Sequence, residues 1–315
     1  MKNINRHDIQ VISRHSNWSA DGIEETLQQK VYNGKKDWQQ FLKLLFISLG
    51  VSFTTAGILF FFAYNWNNLH KFVKIGLIGS LIIGLTLFVV FSKKTKPLIK
   101  NIILTGVSVL VGVLFAVFGQ VYQTGANAYD FFLGWTMAVT LWVVIANFVP
   151  LWFVFILLIN TTLFLYNKQV VDWDPLIILG LLVAINTFFF VGSIFVSNER
   201  NNFSWLQKIL AIAIVYGTTI GVMMGIFEIE IPYFGLFLLF AIALYVLGIF
   251  YSFKTRNTFY IAIIALSLFA ILNAFFIKVF DLDETVLLLI SIFVLIAVTA
   301  LVRYLMKLQK KWDNE

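Results

Sequence analysis

The chain contains no cysteine, only three histidines and few charged residues. The lack of cysteine excludes disulfides, thiolate metal sites and cysteine nucleophiles. His7, His15 and His70 are too scattered along the sequence to indicate a histidine metal site. Charged residues make up 12% of the 315 residues, whereas a soluble domain carries about 25%. The chain therefore has too little charge for a soluble protein of this size.

Long hydrophobic runs take the place of that charge. Hydrophobic side chains make up 60% of the chain, and the mean hydropathy is +0.88. Uncharged runs recur from Leu44 to Val302, and each is long enough to cross a hydrocarbon core of about 30 Å. We predict an all-α membrane bundle of about ten transmembrane helices. The expected spans are residues 44–65, 72–91, 101–121, 131–148, 150–166, 175–196, 207–227, 232–252, 258–278 and 285–303.

The polar ends of the chain suggest its domain organisation. Residues 1–43 are predicted to be a cytoplasmic helical segment, residues 44–306 the transmembrane domain, and residues 307–315 a basic cytoplasmic tail. Ser19 can cap a helix that stops before Gly34, and a shorter helix is expected around residues 5–13. This helical hairpin could dock a cytoplasmic protein partner, or it could be a simple tether on the membrane surface.

The distribution of lysine and arginine predicts the orientation. With the N-terminus in the cytoplasm, 19 of the 23 Lys and Arg residues fall in inside segments and four in outside segments. Because such residues concentrate in cytoplasmic loops, both termini are predicted to lie in the cytoplasm, with the protein in the inner membrane. Topology then accounts for the net charge of +7. The bilayer is the expected partner, and no nucleic acid is expected.

Apart from Lys74 and Lys208, which lie within three residues of the start of a span, the predicted spans have no ionisable residue between their ends. Proton-coupled carriers and pumps usually place such groups at membrane depth, so the pattern counts against a proton relay or an intramembrane acid–base enzyme. Asn160, Asn186 and Asn273 are the main polar residues left inside, and we expect them to bond between helices.

Small residues recur at four-residue spacing within the spans. The longest stripe, in the seventh span, is Ala213, Gly217, Gly221 and Gly225. A shorter stripe in the second span is Gly76, Ser80 and Gly84. Such stripes predict close packing of helices.

Acidic residues cluster in three outer loops as acid-any-acid triplets. Carboxylates suit Ca²⁺ or Mg²⁺, although outer loops also tolerate acids that only face solvent. The candidate metal ligands are Asp172, Asp174, Glu228, Glu230, Asp281 and Asp283. No cofactor is predicted.

The passage GQVYQTGANAYDFFLGW, residues 119–135, is the most polar stretch between the hydrophobic runs. Gly125 can end one helix, and Asn127 or Asp130 can cap the next. Its amides, carboxylate and aromatic rings could bind a neutral polar ligand or a lipid headgroup, or they could serve only as caps and as a part of the interfacial aromatic belt. The candidate ligand-binding residues in it are Gln120, Tyr122, Gln123, Asn127, Asp130 and Trp135.

A second passage, FFAYNWNNLHKFVKIG at residues 61–76, joins the first two spans. The two passages, in this order, resemble the bacterial predicted membrane proteins grouped as domain of unknown function 2157. The residues that carry the resemblance are Ala63, Asn65, Trp66, Lys74, Gly119, Gln120, Tyr122, Gln123, Gly125 and Trp135. It extends over about the first 150 residues, and it implies a multi-pass envelope protein of unknown activity with no catalytic residues to transfer.

Both passages fall on the predicted outer side. Asn65 and Trp66 therefore join the candidate ligand-binding residues, and we expect one outward-facing pocket. Three functions remain open. The first is a non-enzymatic protein that binds, senses or scaffolds in the envelope. The alternative is a transporter or facilitator of a small neutral solute or lipid. A membrane-embedded enzyme is the least favoured, because no nucleophile–base pair stands at a recognisable spacing.

Overall fold

The computed structural model describes residues 9, 12–13, 15–30, 32, 34–64, 70–122, 125–197, 203–228, 230–280 and 284–314. Within these residues the chain forms eleven α-helices and one π-helical turn, and no strand. The helices are α1 (Ala20–Lys30), α2 (Lys35–Tyr64), α3 (Lys71–Phe91), α4 (Pro97–Tyr122), α5 (Ala128–Ala146), α6 (Val149–Tyr166), α7 (Pro175–Val196), α8 (Ser204–Phe227), α9 (Phe234–Thr255), α10 (Thr258–Val279) and α11 (Glu284–Asn314). The π-helical turn, Asn167–Val171, follows α6.

Among the described residues, helices α2 to α11 are the ten that are long and apolar enough to cross a membrane. A helix satisfies its own backbone hydrogen bonds, as a hydrocarbon environment requires. The predicted all-α polytopic bundle is therefore confirmed. The candidate span in α2, Trp38–Ile58, begins before the predicted first span.

The N-terminal segment is helical where it is described. The Ser19 hydroxyl accepts a hydrogen bond from the Gly22 N–H at 3.2 Å, so Ser19 caps α1 as expected. Helix α2 then continues from the N-terminal segment into the first span without a break. The helix predicted around residues 5–13 lies mostly outside the described residues. Ile9, Ile12 and Ser13 are helical.

The chain divides into two compact units, Met1–Val113 and Leu114–Glu315, and the division falls within α4. In the first unit, α4 approaches α2 closely at Gly106, where an added Cβ would lie 2.6 Å from a methyl group of Val51. Gly76, Ser80 and Gly84 are exposed, and a Cβ at either glycine would meet open space. The close packing predicted for the stripe in the second span is therefore not seen within this unit.

The second unit is packed around α8, which contacts α7, α9 and α10. An added Cβ at Gly217 would lie 2.7 Å from a methyl group of Val183 on α7. Added Cβ atoms at Gly221 and Gly225 would overlap the rings of Phe237 and Phe234. The glycines of the predicted stripe therefore allow close packing, whereas Ala213 is exposed.

Polar side chains inside the second unit bond to one another. The Asn186 amide donates to Asn160 Oδ1 at 2.7 Å, linking α7 to α6. The hydroxyls of Thr219 and Tyr245 each lie 2.5 Å from the Ser267 hydroxyl, linking α8, α9 and α10. The predicted interhelical bonding is confirmed for Asn160 and Asn186. Asn273 donates to the Phe269 carbonyl, but its buried Oδ1 has no hydrogen-bond partner in the described part of the chain.

Replacement of Gly221 tests the packing around α8. We expect Gly221→Ala to lower the free energy of unfolding by about 1–3 kcal/mol, because the new methyl group displaces the Phe237 ring. Gly192→Ala on α7 is the control, since its Cβ meets open space and alanine is the better helix former. Reversible unfolding in mixed micelles measures both variants. Equal stability of Gly221→Ala and Gly192→Ala would contradict the close approach of α8 to Phe237.

Candidate functional site

The turn between α4 and α5 carries the caps that its sequence predicts. Gly125 has φ +62°, a conformation that glycine adopts readily. Asn127 is the N-cap of α5 and forms a capping box with Asp130, whose Oδ2 accepts from the Asn127 N–H at 3.2 Å. Both side chains are also exposed to the surroundings. The two residues therefore have a structural role, which leaves their exposed surfaces available to a ligand.

Two glycines of the same passage let α4 and α5 approach. An added Cβ at Gly119 would overlap the Phe131 ring, and one at Gly134 would lie 2.9 Å from the Phe115 ring. The two rings themselves lie 6.3 Å apart between centroids. The glycines at the two ends of the passage are therefore explained by helix packing.

The π-helical turn at the end of α6 lies beside the turn between α4 and α5. Asn167 is buried there, and its Oδ1 accepts from the Trp173 N–H at 2.7 Å. Asp172 then ends the turn in the left-handed region, with φ 55°. Such π-helical segments are frequent at functional sites. The turn places the side chains of Gln169 and Trp173 at the same end of the unit as Tyr129.

Gln169 joins the two segments. Its Oε1 accepts from the backbone N–H of Tyr129 at 3.0 Å, one of the N–H groups at a helix start that have no partner within the helix. The ring of Tyr166 lies 5.2 Å from Tyr129 and 6.1 Å from Trp173, between centroids. This continuous aromatic row and its amide were not among the predicted site residues. The polar run YNKQVVDWD at residues 166–174 was the available signal.

We call this set of side chains the polar-aromatic end. Its members are Gln120, Tyr122, Asn127, Tyr129, Asp130, Tyr166, Gln169 and Trp173. Gln120 is exposed, and Tyr122 is 43% exposed with its ring 4.6 Å from that of Phe118. Amide groups and aromatic faces of this kind suit neutral polar groups.

The remaining predicted ligand-binding residues are placed as follows. Trp135 is half-buried on α5 and packs 5.8 Å from the Phe132 ring, one turn away from the capping box. Asn65, Trp66 and Gln123 lie outside the described residues. The expectation that the two sequence passages converge on one pocket stays a prediction.

The three acidic triplets lie in different loops of the chain. Asp172, Glu228 and Glu230 are exposed, and Asp174 stands at the N-cap of α7. Among the residues that the structure describes, no three acidic or histidine side chains are grouped to hold a metal ion. Asp281 and Asp283 lie outside them, so a metal site that uses all three loops stays a prediction.

Lys74 differs from the other lysines at the ends of the spans. It lies in the first turn of α3 and is only 6% exposed. Ionisable groups buried in membrane segments are costly and commonly serve a function or a specific pairing. Lys74 is one of the four lysines on the predicted outer side, and its burial gives it a structural role.

Replacing Gln169 tests the junction, that is, the hydrogen bond between the Tyr129 N–H and the Gln169 side chain. We expect Gln169→Ala to leave the Tyr129 N–H without its protein acceptor and to cost about 0.5–1.5 kcal/mol. Hydrogen exchange at residues 128–131 should then become faster by up to about tenfold. Val170→Ala is the matched control, because Val170 is half exposed on the same turn. Unchanged exchange in Gln169→Ala would show that the junction does not order the start of α5.

Residues 19–152 match the family described as predicted membrane protein, domain of unknown function 2157. The match covers the whole passage 119–135 and ends within α6. The resemblance of the first half of the chain is therefore confirmed. No curated protein and no solved structure matches the chain.

Proposed function

We propose that this multi-pass membrane protein is a non-enzymatic binding or sensing protein of the bacterial envelope. Its ligand, a neutral polar molecule or headgroup, would contact the polar-aromatic end. The proposal includes the inner membrane as its location, both termini in the cytoplasm and the polar-aromatic end on the outer face.

The observation that carries the proposal is the junction between Gln169 and Tyr129. Its 3.0 Å hydrogen bond ties the start of α5 to the turn after α6, and the Tyr129–Tyr166–Trp173 row lies across the joint. Rigid aromatic groups lose little conformational freedom when a ligand binds, so binding costs less. The arrangement thus supports recognition at a preformed surface.

The interior of the second unit supports binding over transport. A polar passage for a solute would need side chains such as Asn160 and Asn186 to face a cavity, but these two bond to each other. Each also donates to a carbonyl one turn earlier in its own helix, at 2.8 Å. A solute would have to break this pair in order to use it, which favours a closed bundle with its ligand at one end.

The distribution of cations supports the orientation. In the second unit the helix ends near the polar-aromatic end carry two lysines, Lys168 and Lys278, whereas the opposite ends carry Lys208, Lys254, Arg256 and the basic end of α11. Lysine and arginine prefer the cytoplasmic side.

The orientation can be measured with single cysteines, because the chain has none of its own. We expect Asn127→Cys to react with an impermeant maleimide in intact cells. Lys310→Cys, near the C-terminus on the proposed cytoplasmic side, should react only after permeabilisation. The reverse pattern would place the polar-aromatic end in the cytoplasm and reject an outward-facing site.

The binding function can be tested by complementation. A deletion strain is profiled across envelope stresses and neutral solutes, and the condition with the largest defect is used. We expect the double variant Gln120→Ala/Tyr122→Ala to restore less than about half of the wild-type growth, because it removes exposed binding groups.

Leu141→Ala is the control, since Leu141 is 65% exposed on α5 but distant from the capped turn. It should complement fully, and immunoblots of membranes should show equal amounts of all variants. Full complementation by Gln120→Ala/Tyr122→Ala at equal abundance would remove these residues from the functional site.

A further inference from the structure

A cleft at the basic end of the second unit is lined by residues of four helices, α7, α8, α9 and α10. Its volume is about 290 Å³, near the lower limit for ligand pockets. Its walls are almost entirely apolar, and Phe190, Val215 and Ile264 are typical of them. A cavity of this size and surface fits a single apolar chain and offers little to a polar solute.

Three of the polar residues that line the cleft, Tyr251, Lys254 and Tyr260, lie towards one end of it. Lys254 lies in the last turn of α9, and Tyr251 lies one turn before it. The Tyr260 ring on α10 packs 5.1 Å from that of Tyr251, and both rings pack against Phe190 on α7. A cation and tyrosines at the mouth of an apolar cleft suit an amphiphile with an anionic head.

The charged residue that lines the cleft, Lys254, is a cation, and none of the lining residues is acidic. Lys208 lies at the same end of the bundle, near the start of α8, with its Nζ 5.6 Å from the Phe259 ring. Arg256 follows α9 directly. Anionic headgroups are attracted to such clusters by about 1 kcal/mol per cation.

The length of the cleft matches one leaflet. Its lining on α9 runs from Leu244 to Lys254, eleven residues that span about 15 Å at the rise of an α-helix. Half of a hydrocarbon core of about 30 Å is the same length. An acyl chain lying along α9 would therefore end near Tyr245, whose hydroxyl is already bonded to Ser267, while its head stays beside Lys254.

We propose that this cleft binds one acyl chain of a membrane phospholipid whose anionic headgroup is held by Lys254. Tyr251 and Tyr260 form the rim between head and chain. The site is separate from the polar-aromatic end and does not depend on the function proposed for it.

Native mass spectrometry of the purified full chain tests the proposal with two lipids, dioleoyl phosphatidylglycerol and dioleoyl phosphatidylcholine. We expect the anionic lipid to bind at least about fivefold more tightly, the factor that about 1 kcal/mol represents. Lys254→Gln should remove this preference and leave the affinity for phosphatidylcholine unchanged. Lys307→Gln, which removes another exposed cation on α11 outside the cleft, should behave as wild type.

Val215→Phe tests the acyl-chain part, because the larger side chain fills the cleft from α8. We expect it to weaken both lipids by at least about fivefold with an unchanged unfolding temperature. If the Val215→Phe variant unfolds, Lys254→Gln still tests the proposal, because Lys254 is exposed. Equal affinity of wild type for the two lipids, or equal behaviour of Lys254→Gln and Lys307→Gln, would overturn the proposal. Displacement of the bound lipid by glycerol phosphate alone would overturn the role of the chain.

Discussion

Close backbone approach along one face of α8 is the interaction on which the second unit depends. Helices in a bilayer gain little from leaving apolar lipid for apolar protein, so van der Waals contact and hydrogen bonds must hold them together. Gly217, Gly221 and Gly225 remove the side chains that would keep α8 away from its neighbours. The space they leave is filled from α7 by Val183 and from α9 by Phe234 and Phe237. One helix thereby fixes two others, α7 and α9.

Because of the same constraint, the side chains that could bind a ligand lie at the two ends of the unit. Polar side chains inside the unit, such as Asn160 and Asn186, bond to each other and hold helices together. What is left for ligands lies where the helices end. One end presents amides and an aromatic row around Gln169 and Tyr166, and the other presents an apolar cleft next to Lys254. The two surfaces suit different classes of ligand, one neutral and polar, the other anionic and amphiphilic.

The sequence was sufficient for features that depend on composition and local periodicity. The ten spans follow from apolar runs, and the capping box at Asn127 and Asp130 follows from residues three positions apart. It was insufficient where a partner lies far along the chain. Gln169 caps Tyr129 across 40 residues, and the cleft needs four helices to form. Glycine spacing also failed to distinguish packed from exposed faces, since Gly221 is packed and Gly84 is exposed.

Helix α7 connects the two candidate sites physically. It begins two residues after Trp173, at the aromatic row, and Phe190 near its other end packs on Tyr251 and Tyr260 at the cleft. The path from Trp173 to Phe190 is about 25 Å along the helix, and α7 is held against α8 throughout by contacts such as Val183 with Gly217. The proposed ligand site and the proposed lipid site therefore share one helix, α7, which packs against α8 between them. If occupancy of one site shifts α7, linkage requires that each ligand change the affinity of the other by the same factor.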